Sequence, residues 1–235
     1  MPVICVFENE NIKVYIYNFD HKKPHIHIVK KGKTSKKDVD MLFDGTLPHG
    51  SEGLSNSDIE VVREWLLSHL EIVNEDWNLA EQGQLVDKKI DTTSPIDTTP
   101  NMSNEQESIN ESANTWSFDD DDDVYVVDAI PLPHHHLLCQ YNNGSWNLVD
   151  FRPLLQYPAF KDLTSEQLFY DIDFSNGVTN WDNERIDIAP EYLYKNGVAL
   201  SADKVEFLKF IKQLNSDRDA DLIGAIIDGF IACVA

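Results

Sequence analysis

Two histidines, His25 and His27, stand two residues apart in a short run of β-forming residues. Because side chains alternate along a strand, both imidazoles are expected on one face, and we place them on an exposed edge strand. An imidazole exchanges a proton near neutral pH and is also a common metal ligand. Three interpretations stay open: a solvated surface pair, a site of acid–base chemistry or nucleic-acid contact, and a metal site. We designate His25 and His27 as candidate catalytic residues, and we assign no metal and no cofactor.

A cluster of lysines surrounds this histidine pair, although the chain as a whole is acidic, with a formal net charge of -22. That charge repels nucleic acid in general, so any binding of RNA or nucleotides must be local to the lysine cluster. The candidate nucleic-acid or phosphate contacts are Lys22, Lys23, Lys30, Lys31 and Lys33.

Composition divides the 235 residues into two folded parts and a linker. Residues 81–123 are mostly polar, show no useful hydrophobic period and end in an aspartate run at 119–123. Such a segment cannot bury enough apolar surface to offset the entropy of ordering. We therefore predict a disordered acidic linker between a first domain, residues 1–80, and a second, residues 124–235. The aspartate run is either simply solvated or masks the lysine cluster.

Local patterns predict an α+β fold for the first domain, with a small antiparallel sheet and one or two helices packed on one face. The helix is expected to begin at Ser57, with Glu60 three residues later completing a capping box. His69 lies at the edge of its apolar stripe and is interpreted as a core-edge histidine. The expected strands are residues 3–7, 12–17, 24–30 and 37–43.

The second domain is also predicted to be α+β. The NNG sequence at residues 142–144 is a strong hairpin signal between two strands. Three consecutive histidines at 134–136 would alternate faces on a strand, so we interpret them as a loop before the strand rather than a metal site. Two additional C-terminal helices follow Ser201. The last, residues 219–233, is apolar almost all round and is expected to be buried against the sheet, the first domain or another subunit.

Cysteine usage and hydropathy indicate the cellular location of the chain. Cys5, Cys139 and Cys233 match no metal spacing, and the sequence shows no secretory signal, so a reducing cytoplasmic location is expected. The longest apolar stretch, residues 222–235, contains Asp228 and is too short to cross a bilayer, so no membrane association is expected.

The first domain resembles the bacterial family Domain of Unknown Function 4160. The resemblance rests on PHIHI at residues 24–28, GTLP at 45–48 and a helix ending near Trp77. The family has a Pro-His-aromatic-His-Val core, so Ile26 stands here in place of the aromatic residue. Lys23 likewise precedes Pro24 where a second proline is common.

The second domain resembles the family Domain of Unknown Function 2442, from residue 124 to about residue 197. The matching segments are NNGSWNLVDFRPLL at residues 142–155, LFYDIDFSNGVTNW at 168–181 and IDIAPEYLY at 186–194. Proteins of the two families are similar to partners encoded side by side in bacteria, in a toxin–antitoxin-like context. The resemblance therefore implies a natural fusion whose two domains contact each other.

Three functions remain in competition. In a toxin–antitoxin-like module, His25 and His27 would act on RNA or a nucleotide, with one histidine taking the proton of a ribose 2′-hydroxyl, and the second domain would restrain them. A non-catalytic protein–protein interaction module would use its sheets to bind a protein partner. An acidic inhibitor would use the charge of the linker and second domain as a nucleic-acid mimic.

Overall fold

The structure is a computed structural model that describes residues 3–9, 11–20, 23–31, 38–51, 53–86, 90, 92, 124–174, 177–214 and 220–234. Most of the predicted linker lies outside these residues, as do Lys22, Lys33 and the aspartate run at 119–123. Packing continues past residue 80, because Gly83 is buried and Ile90 is buried with its amide donating to the carbonyl of Ile4.

The first half contains a four-stranded antiparallel sheet with strands in sequence order. Its strands are β1 (Val3–Phe7), β2 (Ile12–Tyr15), β3 (His25–Lys30) and β4 (Val39–Leu42). β3 pairs with both β2 and β4, so the prediction of an edge strand for His25 and His27 is wrong. Ile26 and Ile28 belong to the core beneath the helices, and alternation turns the two histidines to the opposite face.

The helical part consists of two helices, α1 (Asn56–Ser68) and α2 (Leu70–Glu81), where the sequence predicted one or two, and the break between them is at His69. The capping box also differs from the prediction. Ser55 is the N-cap, its side chain accepts from the amide of Asp58, and the Asp58 carboxylate accepts from the amide of Ser55. Asp58 gains a further partner in Lys30, whose Nζ lies 2.7 and 2.8 Å from the two carboxylate oxygens. This long-range pair favours the Ser55 cap, and local spacing could not reveal it.

We expect Asp58→Ala to lower the free energy of unfolding by about 1–2 kcal/mol at neutral pH, because it removes a cap and an ion pair together. Burial raises the pKa of Asp58, but hydrogen bonds from Lys30 and Ser55 outweigh it and hold the pKa below its ordinary value. The stabilisation is thus present above the ordinary carboxyl pKa and lost as the pH falls through the lowered one. The difference from wild type in thermal unfolding should shrink below about pH 4. Ser57→Ala, at an exposed position, should unfold like wild type.

The second half is built on another antiparallel sheet, in the order β10-β7-β6-β5, beside a two-stranded hairpin of β8 and β9. The strands are β5 (Val126–Leu132), β6 (His136–Tyr141), β7 (Trp146–Asp150), β8 (Thr179–Trp181), β9 (Ile186–Ile188) and β10 (Val198–Ala199). The turn predicted at residues 142–144 joins β6 to β7, and Gly144 supplies its positive φ of 83°. Two 3₁₀ segments, Arg152–Gln156 and Pro158–Thr164, and the helices α3 (Glu166–Tyr170) and α4 (Pro190–Asn196) complete this half.

The last two helices are α5 (Ala202–Leu214) and α6 (Ala220–Val234). α6 is buried on one face against the sheet, which is one of the predicted positions, and its other face is open. Ile223 and Ile227 pack against the sheet of the second half, whereas Leu222 is 62% exposed and Ile226 is 37% exposed. Within the described residues, no helix combines the length and apolar character needed to span a bilayer. The antiparallel sheets and separate helices confirm the predicted α+β fold class.

Candidate functional site

His25 and His27 lie side by side, with ring centroids 4.5 Å apart, on the face of the first sheet opposite Ile26 and Ile28. Both are buried, at 0% and 6% exposure, so the interpretation as a solvated surface pair is wrong. The ring of Tyr17 stacks on His27 at a centroid distance of 3.9 Å, and the ring of Trp77 lies 5.2 Å from that of His25. The histidines are therefore held in fixed positions between aromatic rings.

Three carboxylates that the sequence did not single out surround these imidazoles. Nε2 of His27 lies 2.6 Å from Oδ2 of Asp20, which is also 3.4 Å from Nε2 of His25. On the other side of the His27 ring, Nδ1 lies 3.0 Å from Asp40 and 3.1 Å from Asp38. Asp40 is the cross-strand partner of His27 in β4. Its place in the site could have been predicted only from the register of β3 against β4, which residue spacing alone does not give.

The surrounding carboxylates favour the protonated form of His27. Burial lowers the pKa of His27, but the carboxylates of Asp20 and Asp38 outweigh it and hold the pKa well above its usual range. Burial raises the pKa of Asp40, yet its hydrogen bond and charge interaction with His27 prevail and lower that pKa to about 2. Both shifts follow from the close pairing of His27 with these carboxylates.

The described lysines of the cluster do not gather around the histidines. Lys30 points to the helix face, where Asp58 binds it. Lys31 follows β3 and is exposed. Lys23 precedes β3, and its backbone carbonyl accepts from Nδ1 of His25 at 2.7 Å. The shared phosphate-binding role predicted for the cluster therefore does not extend to Lys30, because strand alternation places its side chain opposite the imidazoles.

The second half covers the histidine face of the sheet. Tyr15 and Tyr17 pack with Val178 and Ala189 in one buried apolar cluster that spans both halves. At the rim, Nζ of Lys13 lies 2.8 Å from Glu184. Access to the histidines is therefore limited by residues that are distant in sequence.

Residues 18–20 join this covered interface to the site. Nδ2 of Asn18 donates to Oδ1 of buried Asp187 at 2.7 Å, and the carbonyl of Asn18 accepts from the amide of Ala189 at 3.0 Å. Phe19 follows with a positive φ of 57°, and its ring lies against Tyr192 at 4.9 Å. Asp20, the next residue, is the carboxylate shared by the two imidazoles.

A second group of titratable residues lies at the turn between β5 and β6. His134 and His135 are in the turn, with φ of 57° and 56°, and His136 begins β6. Nδ1 of His134 lies 3.0 Å from Asp228 of α6, which also binds Arg152 at 2.7 Å. Because Arg152 already pairs with the carboxylate of Asp228, we interpret these ion pairs as contacts that attach α6 to the sheet.

The comparisons with known proteins match two separate parts of the chain. No curated protein and no solved structure matches it significantly. Residues 11–78, which contain the histidine site, match the family model described as Domain of unknown function (DUF4160). Residues 126–199 match the model described as Protein of unknown function (DUF2442). Both resemblances predicted from the motifs are thereby confirmed: the first half carries a DUF4160 region and the second half a DUF2442 region.

Proposed function

We propose that the chain is a fused toxin–antitoxin-like module of the bacterial cytoplasm. Its first half would hold a site directed at RNA or nucleotides, and its second half would restrain that site. The observation that carries the proposal is the burial of the histidine face beneath Val178 and Ala189 of the second half. A restraining domain is expected to cover the residues that it inhibits, and residues of the matched second family cover those of the first.

The chemistry of the site suits proton donation to a phosphodiester. After the second half moves, a substrate would meet the imidazolium of His27, which can protonate a leaving oxygen. His25 lies beside it, and Lys23 and Lys31 flank β3 at its two ends, where their charges would attract a phosphate. In the covered state the His25 and His27 side chains are only 0% and 8% exposed, so a substrate cannot reach them.

Forcing the two halves apart should release this activity. Ala189 is fully buried in the cluster that spans the halves, so Ala189→Arg places a long charged side chain where no space exists. We expect induction of the Ala189→Arg chain to arrest bacterial growth and degrade cellular RNA, while the wild-type chain is tolerated. Adding His27→Ala to the Ala189→Arg chain should restore growth.

Ala199→Arg is the matched control, since Ala199 is exposed at the edge of the second sheet. This variant should grow like wild type. Circular dichroism must show that Ala189→Arg retains its secondary structure. A folded Ala189→Arg chain that leaves growth and RNA intact would contradict the restrained-site proposal.

The alternative function is a non-catalytic protein–protein interaction module. The observation in its favour is the complete burial of His25, which is typical of a structural residue. It predicts that Ala189→Arg exposes binding surface without any growth arrest that depends on His27. The same experiment therefore separates the two proposals.

A further inference from the structure

Asp20, His25 and His27 converge with the donor atoms of a transition-metal site. Oδ2 of Asp20 lies 2.6 Å from Nε2 of His27 and 3.4 Å from Nε2 of His25, and one donor atom from each residue lies within 4.8 Å of the others. Ligand atoms around a tetrahedral Zn²⁺ are about 3.4 Å apart, given bonds of about 2.0–2.2 Å. The His25–Asp20 pair already has this spacing, and the His27–Asp20 pair needs to open from 2.6 Å to about 3.4 Å.

Both imidazoles are held with Nε2 directed at Asp20. Nδ1 of His25 lies 2.7 Å from the carbonyl oxygen of Lys23, and Nδ1 of His27 lies 3.0 Å from Asp40 and 3.1 Å from Asp38. An imidazole that donates from Nδ1 keeps the lone pair of Nε2 for a metal, and such outer partners typically accompany histidine ligands. His27, Asp38 and Asp40 also form a possible ligand group, but it offers a single nitrogen. We therefore assign these two carboxylates to the outer shell.

The charge of the cluster also favours a cation. The side chains of Asp20, Asp38 and Asp40 are 1%, 14% and 9% exposed, so three carboxylates are largely removed from water around two imidazoles. Burying such charges is costly unless they are paired. A divalent cation at the Nε2 atoms would offset more negative charge than a single imidazolium can.

We propose that Asp20, His25 and His27 bind a divalent first-row transition metal ion, with Asp38 and Asp40 orienting His27 from the outer shell. Imidazole nitrogen together with carboxylate oxygen suits Zn²⁺, which serves as the probe. Three protein ligands leave a fourth coordination position. The metal site belongs to the covered state of the whole chain and uses neutral His27, whereas the proposed proton donation belongs to the separated state without the ion, so the two proposals are tested separately.

The test is titration of Zn²⁺ into the full-length, tag-free chain after removal of metals by a chelator. Calorimetry and elemental analysis should show about one Zn²⁺ per chain, with an increase in melting temperature on binding. Replacement by Co²⁺ should give the visible absorption bands of tetrahedral coordination by nitrogen and oxygen. Absence of stoichiometric Zn²⁺ binding by the folded wild-type chain would overturn the proposal.

Variants then locate the ion. Asp20→Asn keeps the shape of the side chain and should weaken Zn²⁺ binding at least 100-fold, and Asp38→Asn should weaken it about 10–100-fold as an outer partner. If Asp20→Asn does not fold, Asp38→Asn still tests the site. The matched control is His134→Gln, which alters the separate pair of His134 and Asp228, 3.0 Å apart. His134→Gln should bind Zn²⁺ like wild type. Loss of binding in His134→Gln, or full binding in folded Asp20→Asn and Asp38→Asn, would place the ion elsewhere.

Discussion

Phe151→Ala is expected to lower the free energy of unfolding of the second half by about 3–5 kcal/mol. Phe151 is fully buried, and its ring centroid lies 5.9 Å from that of Phe160 and 5.4 Å from those of Phe169 and Trp181. Truncation removes the ring at the centre of this group and leaves a cavity that three large rings cannot close together. Chemical denaturation followed by near-ultraviolet circular dichroism should show the loss.

Phe210→Ala is the matched control, because the same atoms are removed from a side chain that is 56% exposed. Its unfolding free energy should stay within about 0.5 kcal/mol of wild type. Phe151→Leu, which refills part of the cavity, should lose less than Phe151→Ala. An equal loss for Phe151→Ala and Phe210→Ala would contradict the assignment of Phe151 to the centre of the core.

Gly83→Ala should weaken the contact between the two halves and lower the melting temperature. Gly83 has φ of +63°, and a Cβ built there would lie 2.8 Å from the ring of Phe19 and 2.9 Å from that of Tyr157. The carbonyl of Gly83 also accepts from the amide of Ala159 at 3.0 Å, so the backbone cannot retreat without losing that bond. Backbone strain and overpacking together should cost about 2–4 kcal/mol.

Gly50→Ala separates these two causes. Gly50 has φ of +90° and nothing within 4 Å of a built Cβ, so this variant carries backbone strain without the clash. It should cost about 1–2 kcal/mol and leave the contact between the halves intact. Limited proteolysis should cut Gly83→Ala faster than Gly50→Ala between residues 81 and 123. Equal stability and cleavage of the two variants would show that the space around Gly83 is not limiting.

Features set by neighbouring residues could be predicted from the sequence. The hairpin at residues 142–144 depends on the local preference of Asn-Gly for positive φ, and the alternation that places His25 beside His27 is a property of any strand. The start of α1 was predicted two residues too late, and the Asp58 of its actual cap also pairs with Lys30, which is distant in sequence. Local spacing offers two overlapping caps and cannot choose between them.

The candidate site was predicted only in part, for the same reason. The sequence identifies the two imidazoles, but their chemistry depends on Asp20, Asp38 and Asp40, which come from a turn, a segment before β4 and β4 itself. The order of the strands shows that β3 is internal. The packing of the second half shows that the polar face of β3 is covered. The burial of His27 among these carboxylates therefore arises from tertiary packing.

The three consecutive residues 18–20 create a thermodynamic link between two events. Asn18 is bonded to Asp187 of the second half, and Asp20, two residues later, touches both His25 and His27. A ligand that repositions Asp20 must therefore change the free energy of separating the halves, if the backbone between them stays rigid. Linkage is reciprocal, so a partner that draws the second half away changes the affinity of the histidine site by the same factor.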